Sequence, residues 1–326
     1  MSKILITGGA GFIGARLASA LAAHGSEIDI LDNLSRGVDD DALKQLVESG
    51  RVRLHKVDLN DPATLDRFAS DYDVIVHLAA ILGVQNVLDR PYDTLRDNVL
   101  MQAAVIAFAR RQSKLQRLLF TSTSEVYAGS LMHMNLPFPT PEDFPLALTS
   151  LKEPRCSYML SKIYGEAMLI HSGLPYTIVR PHNVYGPRMG MSHIVPQLLE
   201  KAYKAAPGSS IEVFSVDHKR TFCFIDDAVD MLTSVLETPG AANQVLNLGA
   251  ESPEYTVRKV AEIVIETVGK PLTIDAKPPT PGSPERRAPK MARMSQITGR
   301  VAKVSLKEGI ARTYDWYRSN VFEKAG

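Results

Sequence analysis

Tyr158 and Lys162 stand four residues apart in Ser157-Tyr158-Met159-Leu160-Ser161-Lys162, so a helix through them carries a phenol and an ammonium on one face. A phenol with its ordinary pKa near 10 is a poor base at neutral pH. An ammonium about 5 Å away, at an effective dielectric near 20, contributes roughly 3 kcal/mol and is expected to bring the phenol to about 7.6. Such a pair can take and return the proton of an alcohol. The strand pattern from Arg117 to Ser122, with its tail Thr123-Ser124-Glu125, ends in hydroxyls that can hydrogen-bond the same reacting oxygen.

A second constellation lies at the start of the chain. Lys3-Ile4-Leu5-Ile6 reads as a short buried strand that runs into Thr7-Gly8-Gly9-Ala10-Gly11-Phe12-Ile13-Gly14, and helical periodicity follows to His24. Gly8 suits a sharp turn, Gly11 lets the backbone approach a pyrophosphate, and Gly14 lets helix and strand pack closely. The main-chain N–H groups at Phe12 and Ile13 then open the helix toward the phosphates. A second strand, Glu27 to Leu31, ends at Asp32-Asn33, where a carboxylate would hold the adenosine ribose. An acid there disfavours a 2′-phosphate, so NAD is expected as cofactor, with Arg36 as the counter-signal. Asp58-Leu59, closing the strand Val52 to Val57, is a candidate for the adenine side.

These residues need a scaffold. Strands are expected near 3–7, 27–31, 52–57, 73–77 and 117–122, and helices near 12–24, 62–69, 91–112 and 157–171. The alternation predicts an α/β, doubly wound parallel sheet with its ligand crevice at the carboxyl ends of the strands. After Arg180 the spacing loosens, with short strands (211–214, 221–225, 244–247) among helices (193–205, 226–237, 256–268). The reading is an NAD-binding domain over 1–180 and a smaller substrate-binding lobe over 181–326, with chain segments able to cross between the two. Leu136 to Pro145 and Lys277 to Pro289 read as loops.

The chain of 326 residues has 45% hydrophobic residues and a net charge of +1, with no global field for nucleic acid or membrane surfaces. No run approaches the roughly 20 apolar residues of a membrane span, and the chain enters a strand at once, without the pattern of a signal peptide. Two cysteines, Cys156 and Cys223, make a disulfide framework and a metal site unexpected. A cytoplasmic location is expected.

Five strings together resemble the extended short-chain dehydrogenase/reductases that modify nucleotide sugars. They are Thr7 to Gly14, His77-Leu78-Ala79-Ala80, Ser122-Thr123-Ser124-Glu125-Val126-Tyr127, Tyr158-x-x-x-Lys162, and Arg180-Pro181-His182-Asn183-Val184-Tyr185-Gly186-Pro187-Arg188. The resemblance implies a Rossmann domain with a small C-terminal sugar-nucleotide lobe. It implies that Ser124 and Tyr158 flank the sugar O4 and that Lys162 binds the nicotinamide ribose. Leu78, Ala79 and Ala80 would line the cofactor groove, and Asn98 would support the lysine. Asn183 would hold substrate phosphate or cofactor-side backbone, with Arg188 also on the substrate. His77 and His182 belong to these strings and read as structural rather than metal-binding. A homodimer through the helices near 91–112 and 157–171 is implied as well.

The substrate segments around Arg155, Arg188 and Pro284-Glu285-Arg286-Arg287 are similar to UDP-glucuronate decarboxylases, in which arginines matching Arg220 and Arg287 clamp the diphosphate. Arg286 reads as a solvated loop charge. Lys290 departs from that group, and Ile81-Leu82-Gly83-Val84-Gln85 looks more like an epimerase loop. The implied substrate is a nucleotide sugar, UDP-linked. Epimerisation at C4 through a transient 4-keto sugar ranks first and decarboxylation of a uronic acid second. Dehydration is disfavoured because Ser124 stands where those enzymes carry an acid. A non-catalytic NAD-binding sensor on the same fold is the alternative from another class. Glu125 has no required role in 4-epimerisation but suits proton handling at C5.

Overall fold

A computed structural model describes residues 2–324 apart from 38–39, 62 and 280–282, with residue 84 described in its backbone only. Strands β1 (Lys3–Thr7), β2 (Glu27–Asp32), β3 (Val52–Lys56), β4 (Val74–His77), β5 (Arg117–Thr121) and β6 (Tyr176–Pro181) form a parallel sheet. Later come β7 (Val184–Tyr185), β8 (Ser210–Phe214), β9 (Lys219–Arg220), β10 (Cys223–Phe224), β11 (Gln244–Leu248), β12 (Tyr255–Thr256), β13 (Thr273–Lys277) and β14 (Arg286–Arg287). The spatial order of the main sheet is β11-β6-β5-β4-β1-β2-β3, so the winding reverses between β1 and β4. A crevice opens at such a reversal, at the carboxyl ends of the strands.

Period-two alternation sets the two faces of this sheet. Ile4, Ile6, Ile28, Ile30, Val74 and Val76 join one core, whereas Leu5, Leu31, Ile75, Leu118 and Phe120 join the other. Helix α1 (Phe12–Ala23) covers the first face, where its glycine and alanines allow a close approach to the strands. Helices α2 (Asp41–Glu48) and α3 (Val84–Asp89) precede α4 (Pro91–Arg110), which packs with α6 (Cys156–Ile170) on the second face. The short α5 (Ala128–His133) leads away from the end of β5. In the C-terminal part, α7 (Ile194–Lys204), α8 (Ile225–Glu237), α9 (Val257–Val268), α10 (Ala292–Thr298) and α11 (Leu306–Tyr317) extend the first core.

Four expectations change. The strand near 244–247 belongs to the main sheet, paired with β6 from Gln244↔Thr177 to Leu248↔Pro181, so the chain returns to the large sheet after residue 181. The helix expected over 62–69 is a single 3₁₀ turn, Thr64–Arg67, and residue 62 lies outside the described residues. Helix α2 was not expected; the Asp40 side chain caps it by accepting from Leu43 N at 3.0 Å. The stretch 277–289, of which 280–282 lie outside the described residues, contains β14 in parallel register with β9, Arg287 beside Arg220. Among the described residues no helix is long and apolar enough to cross a membrane, and no group of three or more metal-ligating side chains converges.

A buried carboxylate ties the edge of the sheet together. Asp29 of β2 accepts from Arg53 (2.8 and 3.2 Å), His55 (2.8 Å) and Tyr72 (2.6 Å), tying β2, β3 and the approach to β4 together. Burial alone would raise its pKa, but these bonds outweigh burial and hold the carboxyl at about 2.

Candidate active site

The glycine turn lies in the crevice, at the end of β1. Gly8 has φ +69°, and a Cβ there would come within 2.7 Å of Ala79 N, on the opposite wall. A Cβ on Gly14 would come within 2.5 Å of Gly8 O. No side chain caps the first turn of α1 behind Gly11, so its main-chain donors remain for an anion. This close-walled cradle ending on a helix N-terminus fits the pyrophosphate of a dinucleotide.

Asp32 sits at the end of β2 as expected, and braces the turn. Its carboxylate accepts from Ala10 N at 3.0 Å and Leu34 N at 2.8 Å. Asn33 accepts from Ser35 N, Asp58 accepts from Asn60 N, and Leu59 beside it is buried. Leu78 continues the β1–β4 ladder through Thr7 O, and Ala79 N lies 3.4 Å from Thr7 Oγ1. Arg36 donates to Leu82 O at 3.0 Å, so its guanidinium extends to the 81–83 loop rather than to Asp32. Asn98 grips the backbone of Ile81 (2.7 and 3.0 Å) and reaches Ser161 Oγ at 3.3 Å. The bond of Lys162 itself goes elsewhere, to Thr121 O at 2.9 Å. Asn98 therefore supports the lysine only through the neighbouring Ser161.

Helix α6 presents Tyr158 and Lys162 to the carboxyl end of β5. Lys162 is 4% exposed, with Nζ 4.8 Å from the Phe120 ring centroid and 5.8 Å from that of Tyr158. Burial pushes its pKa down to about 7, with Glu166 opposing. Tyr158 is shifted upward, first by burial and then by the Glu125 charge, while a hydrogen bond with Thr123 and the charge of Arg36 oppose. The value of about 7.6 expected from the ammonium alone is thus overturned for this state of the protein, because desolvation dominates both groups.

The hydroxyl that reaches Tyr158 belongs to Thr123, not to Ser124. The backbone is extended at Thr123 and turns into a 3₁₀ helix at Ser124–Tyr127, where Ser124 is buried. Thr123 Oγ1 also accepts from Glu125 N at 3.2 Å, leaving its single proton to be donated. The hydroxyl tail was visible in the sequence, but the residue within it was not.

Glu125, whose charge acts on Tyr158, pairs with Arg155 at 3.5 Å and interacts electrostatically with Arg287. Burial lowers the pKa of Arg287; Glu125 opposes this and Arg155 adds to it. Arg220 is held down to about 10 by burial and then by Arg287. Its guanidinium donates to Lys219 O (2.8 Å), Ser283 Oγ (3.2 Å) and Pro284 O. Arg287 thus lies within electrostatic reach of both Arg155 and Arg220, and Arg155 and Arg287 also of Glu125, a concentration of positive charge suited to an anionic substrate. Arg155 was not among the expected site residues, although one helical turn separates it from Tyr158. Arg286 points away, bound to Glu254 at 2.7 and 2.5 Å.

Two other expected substrate residues are engaged within the protein. Arg188, at φ +67°, forms a bidentate pair with Asp40 at 2.7 and 3.1 Å, beside the loop that follows β2. Asn183, at φ +43°, donates to Thr221 O at 3.0 Å and ties the β6–β7 corner to the strand beside it. His77 bonds Thr7 Oγ1 at 2.7 Å and His182 bonds Asn247 at 3.1 Å; burial, with nearby cations, holds both pKa values down to about 3. Both are neutral structural groups near pH 7.

Residues 4–249 match the NAD dependent epimerase/dehydratase family. UDP-glucuronic acid decarboxylase 1 of Arabidopsis thaliana is 30% identical, over 99% of this chain and 71% of its own length. UDP-N-acetyl-alpha-D-glucosaminuronate decarboxylase of Bacillus cytotoxicus is 28% identical, over 97% of this chain and 98% of its own. Among solved structures, UDP-glucose 4-epimerase of Thermotoga maritima superposes with a TM-score of 0.85 at 26% identity, over 98% of this chain and 99% of its own.

Proposed function

The chain belongs to the NAD-dependent epimerase/dehydratase family, and from that premise we propose that it decarboxylates a UDP-linked uronic acid through a 4-keto intermediate. The observation that carries this reading is Glu125, a carboxylate whose charge acts on the reacting phenol and which pairs with Arg155 and interacts electrostatically with Arg287. A 4-epimerase makes and breaks bonds only at C4 and O4 and has no use for that carboxylate. The two decarboxylases reported above support the same ranking, which reverses the order read from the sequence.

Bound NAD supplies the acceptor for the C4 hydride and later returns it. Tyr158, as phenolate, takes the O4 proton, and the Thr123 hydroxyl orients O4 toward it. Lys162 lies beneath the pair and, when charged, favours the phenolate. Once C4 is a ketone, the sugar carboxylate is β to it, and the C5–C6 bond breaks to release carbon dioxide and leave an enolate. Arg155 and Arg287 hold the anionic group and counter the enolate charge. A proton delivered through Glu125 to C5 restores the ketone, and Tyr158 protonates O4 as the alcohol re-forms.

A UDP-sugar panel in heavy water, read by mass spectrometry and proton NMR, tests the reading. UDP-glucuronate is expected to lose carbon dioxide and gain one deuterium at C5. An unlabelled C4 epimer of unchanged mass would instead establish epimerisation, the reading favoured by the Ile81-Leu82-Gly83 loop. We also propose a homodimer. Tyr92 and Leu100 on α4, with Tyr164 on α6, are 71%, 56% and 51% exposed, and these two helices pack side by side. Light scattering after size-exclusion chromatography should give twice the chain mass.

A further inference from the structure

Tyr158, Lys162 and Glu166 recur at four-residue intervals along α6, so the third lies one turn beyond the buried amine. Glu166 is 4% exposed and takes no part in the steps above. Its carboxylate accepts from Arg180 Nε (2.9 Å) and Nη2 (2.6 Å) and from Ser122 Oγ (2.5 Å). The Arg180 guanidinium leans the other way, donating through Nη1 to Tyr127 Oη (2.7 Å) and Glu142 O (2.9 Å).

The surroundings of Lys162 make this arrangement consequential. From β5 it meets the Thr121 carbonyl and the Phe120 ring, and from β4 the neutral His77. From its own helix it meets Tyr158 and Glu166, with Arg180 of β6 beyond. Among the described residues no carboxylate makes an ion pair with Lys162. A buried ammonium without an anionic contact loses its proton readily. The Glu166–Arg180 pair has no net charge, but Glu166 shares the helix of Lys162, one turn on, and is the member whose charge acts on it.

We propose that Glu166 is a positioning residue for the reaction: its buried pair with Arg180 is a fixed dipole whose negative end keeps Lys162 charged. The inference concerns the step shared by epimerases and decarboxylases, so it stands independently of which of the two this enzyme is.

The dipole predicts opposite effects from its two ends. Glu166→Gln removes the negative end, and the protonation midpoint of Lys162 should fall by about one pH unit. Arg180→Gln unmasks Glu166, and the midpoint should rise. Full-length protein carrying ¹³Cε-lysine, with Lys162 assigned by its loss in Lys162→Met, gives the midpoint from the pH dependence of its NMR signal. NAD affinity across the same pH range should move in the same sense for each variant. Movement of both midpoints in one direction, or of neither, would overturn the proposal, because a purely structural pair lowers stability in both variants without splitting the titration. If a single variant does not fold, Glu166→Gln with Arg180→Met removes both charges. The midpoint in that double variant should fall below wild type, and a wild-type midpoint would overturn the proposal equally.

Discussion

Replacing Lys162 by methionine should abolish turnover and yet make the protein more stable. The folded state holds the amine at about 7, against 10.5 in an exposed lysine, because burial disfavours its charge. At about 1.36 kcal/mol per pH unit, this fall of roughly 3.5 corresponds to a destabilisation of about 5 kcal/mol wherever both states are protonated. Methionine removes the charge and fills much of the same volume, but it leaves Thr121 O without its donor, which costs about 1–3 kcal/mol. A net gain of about 2–4 kcal/mol is expected at pH 7. The sign with pH follows from proton counting. Between the folded and unfolded values the unfolded chain binds more protons, so the wild type gains stability as pH rises from about 7 to 10.5 and the advantage of the variant fades. Urea unfolding of both proteins at several pH values, freed of nucleotide so that no ligand shifts the equilibrium, measures this directly. A variant no more stable than wild type at pH 7, or an advantage that does not shrink toward pH 10, would refute the reasoning.

Tyr158→Phe should lower kcat by at least about 10²-fold while nucleotide-sugar affinity, measured by calorimetry, stays within a few-fold. In the same assay Thr123→Val should cost more activity than Ser124→Ala, because only the first hydroxyl reaches the phenol. Gly14→Ala should leave purified protein with little bound NAD, read by absorbance after denaturation, since its Cβ would press within 2.5 Å of Gly8 O. Asp29→Asn should cost about 2–3 kcal/mol near pH 7, from a carboxyl held at about 2 against 3.8. That contribution is complete above the unfolded value and disappears as pH falls toward 2, so the two unfolding curves should converge in acid.

The main sheet was legible because its residues obey local rules. Apolar runs ending at Thr7, Asp32 and His77 can be buried only as strands, and a glycine turn between strand and helix has few other uses. Helix α2 was hidden because its signal is one capping aspartate in an acidic stretch. Strand β11 was recognised as a strand but its pairing with β6 was not, since five residues from Gln244 carry no label for the sheet they join. Thr123 and Ser124 are chemically alike, and only the change from extended to 3₁₀ backbone between them decides which faces the phenol. The protonation of Tyr158 and Lys162 was misjudged for a related reason. Spacing along a helix reports which charges are near, whereas the depth of burial belongs to the whole fold.

The two-residue strand β14 illustrates how parity can govern recognition. Arg286 and Arg287 are adjacent and chemically identical, and they face opposite ways because a strand alternates its sides. Which arginine turns toward Glu125 is therefore decided by pairing with Lys219 and Arg220. A slip of one position would exchange the pair and still leave a guanidinium in the cleft. Glu254, bound to Arg286 on the outer side, breaks that degeneracy by rewarding one of the two alignments. A surface ion pair remote from the chemistry thus acts as a registration mark that keeps the same arginine facing inward.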